Sequence, residues 1–465
     1  METERSMNLK RGNGLCLTDK MLTKRLSMEI DKTTYDDLSI FNGEDDSSVF
    51  HKLDFTRTIG GRNCLMKYFQ QPFSTTRQIT DTQKILSIIL ANEEDWASSI
   101  TNGTVMVVEK FYETPLDAVP SGSDFINANI FRFLHAPDYA IIKYSVSHFA
   151  DFVRGMHQLT ELSNDTECPS LLSSLLRRAK FLLSHEVIQS LIATKPKTIY
   201  SASQVTYYGF HLQNHFKNHA QELIEIYERL DAWYSMAMAT KKLRFTFPVF
   251  VEKEEPFIDT SSLYHILLPA PVAYDVQLSQ RHNFIFLTGA NMAGKSTFIK
   301  AVGTAVFLAH LGMGVPAKEM QLSLFDGILS NINVVDNIAK GESYFFNEVQ
   351  RIKNTIIKIN NKNKWLVLID ELFKGTNVQD AMKCSSTVIE GIIRIKNSVF
   401  ILSTHLYEIG EDLKQYPNIS FKYFETAVKD DQLEFSYQLK DGISNDRLGY
   451  LILKREKVVE MLDGL

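Results

Sequence analysis

The sequence predicts a helical domain followed by an α/β layer domain in a single chain of 465 residues. Three observations carry that prediction. Apolar residues recur at helical spacing through much of the chain up to Lys242. Beyond Pro256, short apolar runs alternate with helical stretches. Between one such run and one such helix stands a glycine-rich loop of the phosphate-binding kind.

Composition narrows the class. With 44% hydrophobic and 23% charged residues, the chain is neither disordered nor collagenous, and it is long enough to bury real cores. Four cysteines, Cys16, Cys64, Cys168 and Cys384, are far apart in sequence, which excludes a disulfide scaffold. They read as reduced, mostly buried thiols of an intracellular protein. Fifty basic and 55 acidic residues give a net charge of −5. Residues 1–250 carry −2 and the remainder −3. No global basic field exists, so any nucleic-acid contact has to come from local clusters. Arg177-Arg178-Lys180, Lys195 with Lys197, and Lys241-Lys242 with Arg244 are such clusters. The same residue types also make an ordinary solvated helix face.

Residues 1–27 are polar, without clear periodicity, and read as a tail with no secretory core. Residues 28–244 read as helical. Phe149, Phe152, Val153, Met156, Leu159 and Leu162 form one stripe, and Leu171 through Leu183 another. Leu223, Ile226, Tyr227, Leu230, Trp233, Tyr234 and Ala237 recur near every 3.5 residues, which predicts a long helix packed along a second one. These stripes are read as core. A boundary is expected within Leu243–Pro256, where period-two alternation begins at Phe245, Phe247 and Val249. In residues 245–465, Phe284–Leu287, Trp365–Ile369 and Val399–Leu402 read as strands. Thr297–Leu311 and Ser343–Ile359 read as helices. The longest uncharged stretch in this half, Ala301–Ala317, contains His310 and Pro316 and is shorter than the roughly 18 residues a spanning helix needs. No membrane partner is expected, and the location is read as cytoplasmic.

The phosphate loop is Thr288-Gly289-Ala290-Asn291-Met292-Ala293-Gly294-Lys295-Ser296-Thr297, which fits G-x-x-x-x-G-K-[ST]. Gly289 and Gly294 permit conformations closed to residues with a Cβ. Backbone N–H groups and the following helix N-terminus then converge on phosphates. Lys295 supplies a point charge for the β- and γ-phosphates, and the Ser296 hydroxyl suits Mg²⁺. The strand Trp365–Ile369 ends in Asp370-Glu371. Adjacent carboxylates at the end of an apolar strand are costly without a task. Asp370 is assigned to the Mg²⁺ shell and Glu371 to polarising an attacking water. The strand Val399–Leu402 ends in Ser403-Thr404-His405, the place for a γ-phosphate or water sensor, His405.

Together these stretches resemble the MutS family of DNA mismatch repair ATPases. The loop is similar to that family's TGPNMAGKST, with Ala290 for the proline. Leu368–Thr376 resembles LIDELGRGT, with Phe373 and Lys374 replacing glycine and arginine, and Asp380 matches an acidic residue downstream. Thr404-His405 resembles its TH element, and Asp441-Gly442 with Leu448-Gly449-Tyr450 its C-terminal ATPase element. Upstream, Leu53–Arg62 and Gln71-Pro72 resemble the opening of the family's lever domain. Leu230-Asp231 with Ser235 and Ala237 resembles its returning helix. The resemblance implies a helical lever (MutS core) domain followed by an ABC-type P-loop ATPase, with ATP and Mg²⁺ as cofactors. It implies a homodimer with two composite sites, DNA as partner, and repair or recombination proteins nearby. Gly341-Glu342-Ser343 matches the signature loop, so Ser343 would reach the partner's γ-phosphate, and it also suits a helix N-cap. Asn291, Met292, Thr297 and Asp380 join the nucleotide set by the same resemblance, and Asp336 resembles an acidic residue that the family keeps between the phosphate loop and the signature loop. Tyr274 and Tyr437 are candidates to stack on adenine. The resemblance begins at the family's core domain, so no mismatch-reading wedge or connector is expected, and the clamp is expected to be reduced or absent. The other reading is an ATP-gated scaffold that grips a protein and makes no direct DNA contact.

Overall fold

The computed structural model describes residues 27–41, 48–116, 118–122, 124–162, 168–333, 344–429, 432–444 and 458–463. The chain divides into two compact units. One is helical, Leu53–Gln70 with Asp81–Lys242. The other is α/β and takes Met1–Lys52, Gln71–Thr80 and Leu243–Leu465.

In the helical unit the long helix Lys217–Lys242 runs along Ile59–Gln70. Its stripe residues Leu223, Tyr227, Leu230, Trp233 and Ala237 are buried, and Phe149, Val153, Leu176 and Leu183 are core in the helices Ala136–Thr160 and Ser170–Leu183. The two stretches grouped above by resemblance meet here. Asp231, fully buried, accepts from Arg57 N at 3.0 Å, Thr58 N at 2.9 Å and the Thr58 hydroxyl at 2.7 Å. It thereby satisfies N–H groups at the start of the helix Ile59–Gln70. Burial raises its carboxyl, against those hydrogen bonds. Ser235 accepts from Phe55 N at 2.7 Å and donates to Leu53 O at 3.0 Å. A Cβ on Gly61 would lie 2.1 Å from Asp231 Oδ2. Gly61→Ala should therefore overpack this junction and lower the stability of the helical unit by about 1–3 kcal/mol, read as a lower denaturation midpoint. An unchanged midpoint would mean the junction yields. The helix Phe125–Leu134 exposes Phe125, Ile126, Phe133 and Leu134, a dense apolar patch for a solvent-facing surface.

In the α/β unit the strands are β1 Glu29–Ile30, β2 Val249–Phe250, β3 Ile258–Leu263, β4 Tyr274–Leu278, β5 Phe284–Thr288, β6 Glu319–Leu322, β7 Gly327–Asn331, β8 Trp365–Asp370, β9 Ser398–Ser403, β10 Ile419–Lys429 and β11 Gln432–Asp441. The main sheet has seven strands in the order β1-β7-β8-β9-β5-β10-β11, all parallel except the β10–β11 hairpin. A four-stranded sheet, β2-β6-β3-β4, stands beside it. The alternation at Phe245–Val249 yields only the short β2 and a bridge from Thr246 to Val315. β5, β8 and β9 are buried along their whole length, as a sheet covered on both faces requires. Trp365, Val367, Ile369, Phe400 and Leu402 pack with Ile359, Ile389 and Ile392 on one face. On the other face the helix Lys295–His310 comes so close that a Cβ on Gly303 would lie 2.6 Å from Leu368 Cδ1.

Two segments assigned above to the helical region lie in this unit instead. β1 extends the edge of β7, with Glu29 N donating to Asp326 O at 2.8 Å. Buried Asp37 accepts from Ile332 N at 2.9 Å, Asn333 N at 3.0 Å and Arg351 at 3.1 Å. Phe73 is clasped by buried His310: Phe73 N donates to His310 O and Phe73 O accepts from the His310 Nδ1, both at 2.8 Å. Burial lowers His310 to about 4, so the ring is neutral and its Nε2 takes Phe325 N at 3.3 Å. The cysteine expectation also changes. Cys64, Cys168 and Cys384 are free thiols but half-buried rather than buried, and Cys16 lies outside the described residues.

Candidate active site

Sheet order builds the site. β9 lies between β5 and β8, and all three are parallel, so their C-terminal ends leave the sheet side by side. The register sets Ser403 opposite both Leu287 and Asp370. The phosphate loop after β5, Asp370-Glu371 after β8 and Thr404-His405 after β9 thus converge, where open α/β sheets bind ligands.

The loop has the backbone its glycines allow. Gly289 has φ 136° and Gly294 φ 108°, with Met292 at 67°. A Cβ on Gly289 would stand 3.1 Å from Phe424 O. Gly294 precedes the helix Lys295–His310 and no side chain caps that N-terminus, which leaves its N–H groups for an anion. Lys295 is 6% exposed. Its Nζ donates to Gly289 O at 2.8 Å and Ala290 O at 2.9 Å, and stands 3.3 Å from His405 Nε2. Burial lowers it to about 8, against the pull of Glu371 and Asp370.

The Ser296 hydroxyl donates to Asp370 Oδ2 and the Ser403 hydroxyl to Asp370 Oδ1. Asp370 is therefore fixed on both oxygens. Among the described residues no cluster of three or more His, Cys, Asp or Glu could hold a metal. One hydroxyl beside one carboxylate suits a Mg²⁺ that draws its other ligands from phosphate and water. His405 Nε2 lies 2.8 Å from Glu371 Oε1, and Lys374 Nζ 3.4 Å from Oε2. Burial pushes the Glu371 carboxyl up, but His405, Lys374 and Lys295 hold it at about 2.

A cavity of about 500 Å³ opens over these groups. Asn291, Lys295, Ser296, Thr297 and Glu371 line it with polar groups, beside Met292 and Gly294. Leu268, Pro269, Ala270, Val272, Tyr274 and Tyr437 line it with apolar and aromatic surface. Its volume and its mixed polar and apolar lining suit a nucleotide. Asp380 is not brought to the cavity. It sits in the first turn of the helix Val378–Ile392, where its N–H donates to Asn377 Oδ1 at 3.0 Å and its carboxylate accepts from Asn377 Nδ2 at 2.6 Å. Asp336, Gly341-Glu342-Ser343 and Leu448-Gly449-Tyr450 lie outside the described residues.

Residues 285–460, from β5 through the site strands, match the family model of MutS domain V. Over those residues the chain is similar to MutS domain V. Similar proteins include the DNA mismatch repair protein MutS of Thermotoga maritima, 29% identical over 248 residues, which are 51% of this chain and 30% of that one. The protein of the same name from Pseudothermotoga lettingae is 30% identical over 49% of this chain and 28% of its own length. That of Bacillus cytotoxicus is 28% identical over 52% and 29%. The match thus spans under a third of each MutS relative.

Sequence reading passed over Glu348 and Leu268–Val272. Glu348 shares a helix stripe with Phe345 and Ile352, and a carboxylate on an apolar stripe was the available signal. Leu268–Val272 carries no such signal; the β3–β4 connection brings it to the cavity.

Proposed function

We propose that the chain is a Mg²⁺-dependent ATP hydrolase of the ABC type, with the α/β unit as the ATPase domain and the helical unit, Leu53–Gln70 with Asp81–Lys242, as a lever. The observation that carries this reading is the convergence of Lys295, the Ser296–Asp370 pair and the Glu371–His405 pair at three adjacent strand ends, under one cavity. Lys295 would bind the β- and γ-phosphates. Ser296 and Asp370 would hold Mg²⁺, which supplies charge neutralisation on the phosphates. Glu371 would orient the attacking water and His405 would orient Glu371. Tyr274 and Tyr437 would bracket the base. By resemblance, Ser343 would complete the site of a second copy in a homodimer.

The relatives' names motivate coupling to DNA in repair; recombination and a cytoplasmic location are the further parts of this reading. No described helix is long and apolar enough to cross a membrane. Mg²⁺-dependent phosphate release, measured with duplex, mismatched and branched DNA, tests the reading. No release and no nucleotide binding would sink it.

One observation favours the scaffold reading. The basic clusters are partly neutralised within the chain: Arg178 pairs with Glu222 at 2.6 Å, Lys180 with Glu161 at 3.3 Å, and Lys241 with Glu93. These pairs engage three of the eight cluster cations and lower the charge available to a phosphate backbone. If DNA is held, the logarithm of affinity should fall with that of salt with a slope of about −1 to −3, since each phosphate contact contributes ~0.9. No binding at low salt, with or without ATP, would favour the scaffold.

A further inference from the structure

Glu348 is a carboxylate with 4% exposure on the helix Tyr344–Ile359. Its two oxygens take two consecutive backbone donors, Lys374 N at 3.1 Å on Oε1 and Gly375 N at 3.2 Å on Oε2. Burial raises its carboxyl, while those two N–H groups and the Lys374 charge lower it. The turn it holds is the one that carries Glu371. That turn is strained: Glu371 has φ 64° and Phe373 φ 60°, both in the left-handed region without being glycine. The same helix grips the turn a second time, since the Phe345 and Phe373 rings are 5.7 Å apart. At its other end the turn is pinned by Glu371 N donating to Ser403 O at 3.0 Å. A left-handed residue keeps its side-chain direction only where its surroundings over-determine it. Here the surroundings are β9 on one side and Glu348 on the other.

We propose that Glu348 is a positioning residue for hydrolysis: by binding Lys374 N and Gly375 N it fixes the turn that aims the Glu371 carboxylate at His405 and the cavity. The inference rests on the ATPase reading. It adds a residue that touches no nucleotide and that links the helix Tyr344–Ile359 to the general base.

The test compares wild type with Glu348→Gln, which keeps the shape but sets an amide N–H₂ against one backbone N–H, and with Glu348→Ala. Turnover should fall at least tenfold in Glu348→Gln, with ATP affinity within threefold of wild type. Added to Glu371→Gln, the substitution should slow turnover by less than a further twofold, because both act through one group. Wild-type turnover in folded Glu348→Gln would overturn the proposal. So would a parallel loss of affinity and melting temperature, or failure of Glu348→Gln to fold, since either marks a purely structural role. Absence of turnover in wild type would instead overturn the ATPase reading itself.

Discussion

Lys295→Ala should abolish measurable nucleotide binding, with the dissociation constant for ATP rising by about a hundredfold or more. Charge-assisted bonds to phosphate in a dry site are worth about 2–5 kcal/mol, which sets that scale. The substitution is clean because Lys295 is expensive to bury. Its ammonium is desolvated and held by two carbonyls, and burial has lowered it to about 8. Replacing it removes that desolvation penalty, so folding stability should not fall with binding. The shift adds a second check. With the folded value depressed to about 8, the lysine is charged below that pH and loses its proton above it. Affinity for ATP should therefore weaken by about fivefold between pH 8 and pH 9 in wild type, following single-group titration. Titration calorimetry on wild type across that range reads the slope. A wild-type affinity that is flat through pH 9 would place the phosphates away from Lys295.

Much of this site was legible because its chemistry is local. The loop from Thr288 to Thr297 fixes its own backbone through Gly289 and Gly294, and the paired carboxylates betray themselves at the end of an apolar strand. What was not legible depends on distant partners. No period marks β1, a two-residue edge strand, so its membership of the α/β unit follows only from the exposed edge of β7. The position of β9 between β5 and β8 is a matter of strand order, which sequence does not print, yet it sets Ser403 against Asp370. The basic run Arg177-Arg178-Lys180 shows its charge in the sequence but not its acidic partners, Glu222 and Glu161, which lie 44 and 19 residues from Arg178 and Lys180. Asp380 shows the converse. Its motif position suggested nucleotide, while its nearest partner is Asn377, three residues away.

Glu371→Gln should leave ATP bound and reduce turnover by about 10²–10⁴-fold, the range for removing a general base. The geometry makes the separation sharp. Glu371 lines the cavity, yet it pairs with His405 and Lys374, and neither is a phosphate-loop donor. Its amide isostere can still accept from His405, so the loop and Lys295 need not move. A carboxylate held at about 2 is a poor base. Its low value against burial comes from His405, Lys374 and Lys295. A triphosphate would draw Lys295 from the Gly289 and Ala290 carbonyls towards its own oxygens and remove part of the positive field on Glu371. The carboxylate would then become more basic when substrate is present. His405→Ala should show the other half of the argument. It removes the hydrogen bond that aims Glu371, so it should lower turnover more than affinity, but less than Glu371→Gln does. Phosphate-release kinetics with a separate nucleotide-binding measurement distinguish the cases. Equal turnover in wild type and Glu371→Gln would remove Glu371 from the chemistry and leave the site a nucleotide binder.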